Sequence, residues 1–195
     1  MNPSTKNSQH PTGQVRIIGG QWRSRRLPVL MADGLRPSSD RVRETVFNWL
    51  NHLWGGVWGN KAILDAFAGS GALGLEAASR GAQSVHLVEK SPTIASQLKT
   101  NIQTLQASQC HVHAQDALVA LPQLTAKSFD LIFCDPPFHQ RLLPKILPLV
   151  TNLLKNDGLL YIESEKNVAL PESSWLLLRE GKTAQVRFHV YQKVG

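Results

Sequence analysis

The sequence predicts an α/β protein: a doubly wound, mostly parallel sheet of seven strands, with an antiparallel ribbon at its C-terminal edge and a small hairpin-plus-helix extension at its N-terminus. Three observations carry this prediction. From Lys61 onward, strand-like and helical periods alternate, as β-α units of a parallel sheet require. A glycine loop, Gly69-Ser70-Gly71-Ala72-Leu73-Gly74, separates the first of these strands from the first helix. The last two strand-like runs have no helix between them and should therefore pair antiparallel.

The elements follow in order. Residues 1–14 are polar and are expected to form a disordered tail. Val15-Arg-Ile-Ile-Gly-Gly and Leu27-Pro-Val-Leu flank Gln21-Trp-Arg-Ser-Arg-Arg, which reads as a hairpin with a positive tip. Trp22 among the arginines either stacks on a base or covers the hairpin. Ser38-Ser39-Asp40 offers N-cap chemistry for a helix running to His52, with Val42, Val46, Phe47, Trp49, Leu50 and Leu53 on one broad face. Gly55, Gly56 and Gly59 close this basic unit, 15–60, and 61–195 forms the second.

In the second unit, strands are expected at Ala62–Phe67, Ser84–Glu89, Cys110–Ala114, Phe129–Cys134 and Gly158–Glu163. Helices are expected at Ala72–Arg80, at Pro92–Leu105 with proline in the first turn, and at Arg141–Leu154. Pro144 and Pro148 predict a kink, or two short pieces, in the last of these. Ser174–Leu178 and Ala184–Tyr191 supply the antiparallel ribbon.

Composition excludes several classes. The chain of 195 residues is 42% hydrophobic and 18% charged, as ordinary globular proteins are. Cys110 and Cys134 lie in apolar runs and read as buried thiols rather than a disulfide framework. No apolar run is long enough to span a bilayer, and the polar start lacks the apolar core of a signal peptide, so a cytoplasmic location is expected. The net charge is +7, and residues 1–60 hold eight Lys/Arg against three acids, leaving only +2 for the rest. A basic front on a near-neutral body fits a polyanionic partner, with Arg16, Arg23, Arg25, Arg26, Arg36 and Arg41 as candidate nucleic-acid contacts. Cys110-His111-Val112-His113 superficially suggests metal ligands, but no second ligand cluster accompanies it, and no metal is expected.

The glycine loop matches G-x-G-x-x-G, and Glu89 lies twenty residues beyond Gly69, so a dinucleotide enzyme is one reading. Asp65 argues against it, since a carboxylate ahead of the loop repels a diphosphate. It suits instead a ligand carrying an ammonium and a sulfonium, as S-adenosylmethionine does. Glu89 is placed to accept from ribose hydroxyls, and Asp116-Ala117, just past the third strand, to accept from an adenine amino group.

Asp135-Pro136-Pro137-Phe138 follows directly on a buried-strand run. Proline has no N–H and a fixed φ, so the backbone there offers carbonyl acceptors in a nearly fixed direction. An amino group on a planar ring can donate to the Asp135 carboxylate and a proline carbonyl while Phe138 stacks on the ring. His139 is a general-base candidate by position, with a polar loop residue as the plainer reading.

Leu64-Asp-Ala-Phe-Ala-Gly-Ser-Gly-Ala-Leu-Gly-Leu-Glu-Ala, Val88-Glu-Lys and Asp135-Pro-Pro-Phe together resemble the class I methyltransferases, of Rossmann-like fold, that modify amines. Arg16-Ile-Ile-Gly-Gly, Arg36-Pro-Ser-Ser-Asp-Arg-Val-Arg-Glu-Thr-Val-Phe-Asn-Trp-Leu and Leu160-Tyr-Ile-Glu-Ser-Glu more closely resemble the bacterial RsmD family. The resemblance covers Val15 to the C-terminus, and Ser38 and Ser39 stand where the family often has threonine. It implies methylation of the N2 amine of one guanine in 16S ribosomal RNA, within a small subunit or its assembly intermediate; nothing in the sequence demands more than a monomer. It also implies a cofactor set of Asp65, Phe67, Ala68, Gly69, Ser70, Gly71, Glu89, Lys90, Asp116 and Ala117, and Asp135, Pro136, Pro137 and Phe138 as catalytic residues. Adenine N6 in RNA or DNA, or a protein glutamine, presents the same conjugated amine, and only the long N-terminal resemblance selects guanine. A non-catalytic RNA-binding module is the competing reading from another class.

Overall fold

The computed structural model describes residues 13–30, 39–137 and 142–194. Most of the expected tail, Arg36, Ser38, Phe138, His139 and the start of the helix expected at Arg141 lie outside the described residues. The hairpin pairs β1 (Gly13–Arg16) with β2 (Arg26–Val29), so Gly13 and Gln14 belong to a strand rather than to the tail. Helix α1 (Asp40–Leu53) starts where Ser39 Oγ accepts from Val42 N at 3.3 Å.

The main sheet contains β3 (Ala62–Asp65), β4 (Ser84–Val88), β5 (Cys110–His113), β6 (Phe129–Cys134), β7 (Leu154–Ser164), β8 (Trp175–Lys182) and β9 (Arg187–Lys193). Its order is β5-β4-β3-β6-β7-β9-β8, with the first five parallel and β9 antiparallel to both β7 and β8. The chain winds one way from β3 to β5 and the other way from β6. β3 and β6 are therefore neighbours at the switch point, where open α/β sheets place their ligands.

Period-two alternation sorts the strand residues onto two cores. Ile63, Leu131, Phe133, Leu159 and Tyr161 share a cluster with the hairpin, α1, α2 (Gly74–Ser79) and α3 (Pro92–Leu105). Leu64, Ile132, Cys134, Leu160 and Ile162 pack with α4 (Ala117–Ala120) and α5 (Leu143–Leu153). The N-terminal extension is part of the first cluster: Ile17, Val46, Phe47 and Leu50 have no exposed surface, and the Phe47 ring lies 5.7 Å from that of Phe133. Trp22 is buried in this cluster, which decides its role in favour of covering the hairpin. Cys110 and Cys134 are free and buried, as expected.

Strand ends shift from the sequence expectation, most at β7, which starts at Leu154 rather than Gly158, and four further differences follow. α2 begins at Gly74 rather than Ala72, because the Gly74 N–H is taken by the Asp65 carboxylate from another element. α5 is one helix; Pro148 lies in its second turn and forfeits only the bond to the Pro144 carbonyl. α4, with a 3-10 turn after it, was not anticipated; it is only four residues long, too short for periodicity to register. The ribbon turns at Thr183–Val186, where Thr183 Oγ1 accepts from Gln185 N and Val186 N. Polar Arg179–Lys182 extends as strand because β9 supplies the pairing partner.

Candidate active site

Acids stand at or just beyond the carboxyl ends of four neighbouring strands: Asp65 ends β3, Glu89 follows β4, Asp116 lies beyond β5, and Asp135 follows β6. Each is held differently. Asp65 is 2% exposed, and its Oδ2 accepts from Gly74 N at 3.0 Å, so it lies beneath the glycine loop and ties the loop's far end to β3. Burial pushes its carboxyl up to about 7, against the N–H groups of Gly74 and Phe67, with the Glu89 charge adding to the rise.

Glu89 closes the near end of the loop. Its Oε2 accepts from Gly69 N at 3.0 Å and its Oε1 from Ser91 N at 2.7 Å. A carboxylate offers about four lone-pair sites, so two remain for hydroxyl donors. Between these anchors Ala68 N donates to Val88 O, and Gly71 has φ +80°, a left-handed conformation. A Cβ on Gly71 would stand 2.5 Å from Leu98 Cδ1, so the loop lies flat on α3 only because glycine is there. Phe67 and Ser70 are half-buried, Ala68 is buried and Lys90 is exposed. A small cleft, with room for little more than one water molecule, opens beside the loop, lined by Gly69, Ser70, Gln97, Asn101 and the end of the hairpin.

Asp116 is exposed and caps α4, its Oδ1 accepting from Leu118 N at 2.9 Å, while Ala117 is buried beside it. Asp135 and Pro136 are half-buried and Pro137 is exposed. This ledge starts one residue past the Cys134–Ile162 pairing, with β3 on one flank and β7 on the other. Across that pairing, the Tyr161 hydroxyl donates to Glu163 Oε2 at 2.8 Å, and burial together with the charges of Glu163 and Asp135 holds the phenol well above its usual range. Tyr161 and Glu163 form part of the site's floor that sequence reading passed over, although a Tyr-x-Glu at strand spacing was the available signal.

The basic residues divide. Arg16 donates to Asp40 at 2.9 Å and lies 3.7 Å from Glu44, so its charge is committed within the protein. Arg23, Arg25, Arg26 and Arg41 are exposed, and none has an ion pair among the described residues. Arg43, also passed over, is buried on the apolar face of α1 and donates to Asp40 Oδ1 and Arg16 O.

The histidine run also resolves. His113 Nε2 lies 2.9 Å from His86 Nδ1 on the neighbouring strand, with His111 opposite His86 in register. Burial holds His86 down to about 4, helped by the charges of His113 and His111. Among the described residues no group of His, Cys, Asp and Glu is arranged to hold a metal ion.

Comparison with known families decides the class. The model of the family described as Conserved hypothetical protein 95, the RsmD family, matches residues 15–192. The chain belongs to this family. A relative from Haemophilus influenzae, ribosomal RNA small subunit methyltransferase D, is 46% identical over 92% of this chain and 94% of its own length. The Escherichia coli protein of the same name is 43% identical over 96% and 94%. A solved Escherichia coli structure superposes with a TM-score of 0.81 at 43% identity, covering 94% of this chain and 99% of that one. An rRNA methylase from Streptococcus thermophilus, at 9% identity and a TM-score of 0.65, shares the fold alone. The RsmD-family chain described here thus has the Rossmann-like architecture of a methyltransferase.

Proposed function

We propose that this chain transfers a methyl group from S-adenosylmethionine to the exocyclic N2 amine of one guanine of 16S ribosomal RNA, presented in a small subunit or its assembly intermediate. One observation carries the reading: the Asp135-Pro136 ledge begins at the carboxyl end of β6, next to the strand that leads into the glycine loop. The relatives' names specify ribosomal RNA of the small subunit and support that substrate class.

The loop suits the proposed cofactor. Its left-handed glycine lets the backbone lie close against Leu98 and Leu75, and Glu89 retains acceptor sites for hydroxyls. Phe67, Ala68, Gly69, Ser70, Gly71, Lys90, Asp116 and Ala117 complete the proposed contacts, with Asp65 acting from below. When bound, S-adenosylmethionine supplies an electrophilic methyl group on a sulfonium.

The protein's own part is electrostatic. Guanine N2 is a poor nucleophile because its lone pair is delocalised into the ring. Asp135 and the Pro136 carbonyl accept from its two N–H groups, favour a tetrahedral nitrogen and stabilise the positive charge that develops on it. Pro137 stiffens the turn, and Phe138 holds the base plane by stacking, worth about 1–3 kcal/mol. The target base must leave its stack to reach the ledge. The methylated amine is acidic enough to lose its proton after transfer, so no strong base is needed beforehand.

Arg23, Arg25 and Arg26, with Arg36 and Arg41, are proposed to contact phosphates. Replacing the first three with alanine should raise the KM for RNA and flatten its salt dependence; an unchanged salt slope removes that role. The test of the whole reading is incubation of undermethylated small subunits with labelled cofactor, followed by mapping of the modified nucleotide. A labelled guanine N2 is the expected result, whereas a labelled adenine N6 selects the runner-up activity and overturns the guanine assignment.

A further inference from the structure

The turn between β1 and β2 exposes Arg23 and Arg25, with exposed Arg26 opening β2, and its base is fastened to α2 by five hydrogen bonds. Two of them end on one buried carboxylate. Ile18 N donates to Glu76 Oε2 at 2.7 Å and Gly19 N donates to Glu76 Oε1 at 2.9 Å. Arg80 Nε donates to Oε1 at 2.8 Å, pairing the carboxylate within its own helix, and Glu76 has no exposed surface. Ser79 supplies the rest. Its hydroxyl donates to Gly19 O at 2.6 Å and accepts from Trp22 N at 3.0 Å, while its carbonyl accepts from Gln21 N. The approach is so close that a Cβ on Gly20, at φ +77°, would fall 1.9 Å from Ser79 O.

The same helix grows out of the glycine loop. Leu75 N donates to Gly71 O at 2.8 Å, and Gly74 N to the Asp65 carboxylate. One six-residue helix therefore has the glycine loop at one end and the basic turn on its flank. Apolar packing by Ile17 and Trp22 alone would bury the hairpin without fixing the direction of its tip. Paired hydrogen bonds to one carboxylate fix direction as well as depth.

We propose that Glu76 is a positioning residue for the acceptor RNA. It holds the basic turn at a set distance and angle from the glycine loop, so that phosphates gripped by the turn bring the target base to the Asp135 ledge. This rests on the reading that Arg23, Arg25 and Arg26 contact phosphates. Glu76 touches neither cofactor nor base and acts only through the turn.

The test uses the full chain with undermethylated small subunits as substrate and S-adenosylmethionine titrated separately. Glu76→Gln should raise the KM for subunits about tenfold, with kcat and the cofactor Kd within about twofold of the parent. Its salt slope should flatten as phosphate contacts are lost. An unchanged KM overturns the proposal. So does a parallel loss of cofactor affinity, which a merely structural role would give. Ser79→Ala removes two of the five bonds without touching the carboxylate and gives the same readout if Glu76→Gln does not fold. Replacing Arg23, Arg25 and Arg26 with alanine in parallel separates the two ideas. If that triple variant leaves KM and salt slope unchanged, the phosphate reading fails and the positioning proposal with it; if it raises KM while Glu76→Gln and Ser79→Ala do not, only the positioning proposal fails.

Discussion

The glycine loop and the Asp135 ledge stand on adjacent strands, yet they are organised by opposite means. Around the loop every acid is occupied with backbone donors: Asp65 takes Gly74 N, and Glu89 takes Gly69 N and Ser91 N. The loop's shape is thus set by carboxylates that satisfy its own N–H groups. At the ledge the donors are removed instead, since two successive prolines leave carbonyls without N–H groups beside them. The first device holds the loop in shape, while the second, in the reaction proposed above, would present proline carbonyls to a donor on the substrate. Binding and chemistry should therefore separate on mutation.

Asp135→Ala tests this separation most severely. Methyl transfer should fall by about 10²–10³-fold, the usual effect of losing one group aimed at developing charge. The cofactor Kd, measured by calorimetry, should stay within about twofold. Full retained activity would remove Asp135 from the reaction, and a matching loss of cofactor affinity would erase the contrast with the loop.

Glu89→Ala is the converse. Hydrogen bonds to a charged group are each worth about 1.5–3 kcal/mol, so cofactor affinity should fall roughly 10- to 100-fold. The rate at saturating cofactor should change far less. Unaltered affinity would limit Glu89 to closing the loop on Gly69 and Ser91.

Asp65 sharpens the contrast through pH. Its carboxyl titrates at about 7 when folded, against 3.8 as its ordinary value. Between these values the folded chain keeps a proton that the unfolded chain has released. The stability Asp65 contributes is complete below the ordinary value and is lost as pH rises through the folded one. Asp65→Asn, which still offers Gly74 N an acceptor, should flatten the decline of Tm across that window. A parallel decline in parent and variant would assign the slope to other groups.

His86 should give a smaller effect of opposite sign, because it is only half-buried. Its folded value is about 4 against 6.5, so the unfolded chain binds the extra proton between them. That stability is complete above the ordinary value and is lost as pH falls toward the folded one. His86→Gln should reduce the loss of Tm on acidification, and an unchanged acid limb would sink the idea.

Much of this molecule was legible in its sequence. The strand and helix alternation, the G-x-G-x-x-G loop and the Asp-Pro-Pro turn are patterns carried by residues within a few positions of one another, so period and composition expose them. What was missed involves partners distant in sequence. Arg16 reads as a free basic residue until Asp40 and Glu44 are brought against it. Trp22 reads either as a base-stacking or as a hairpin-covering aromatic until its burial against α2 selects the second. Glu76 sits in an apolar helix with no local hint that Ile18 and Gly19, more than fifty residues earlier, will donate to it.

By itself, then, the sequence determined the α/β class, the site's position after the strands and the residue types at the ledge, because those depend on local periodicity and on proline's missing N–H. The tertiary structure alone decided which backbone donors the carboxylates of Asp65, Glu89 and Asp116 take up. It alone decided which arginines remain unpaired with acids among the described residues, and how the basic turn is aimed. Those outcomes depend on pairings across the returning chain, where a buried polar group must find its partner wherever the fold delivers one.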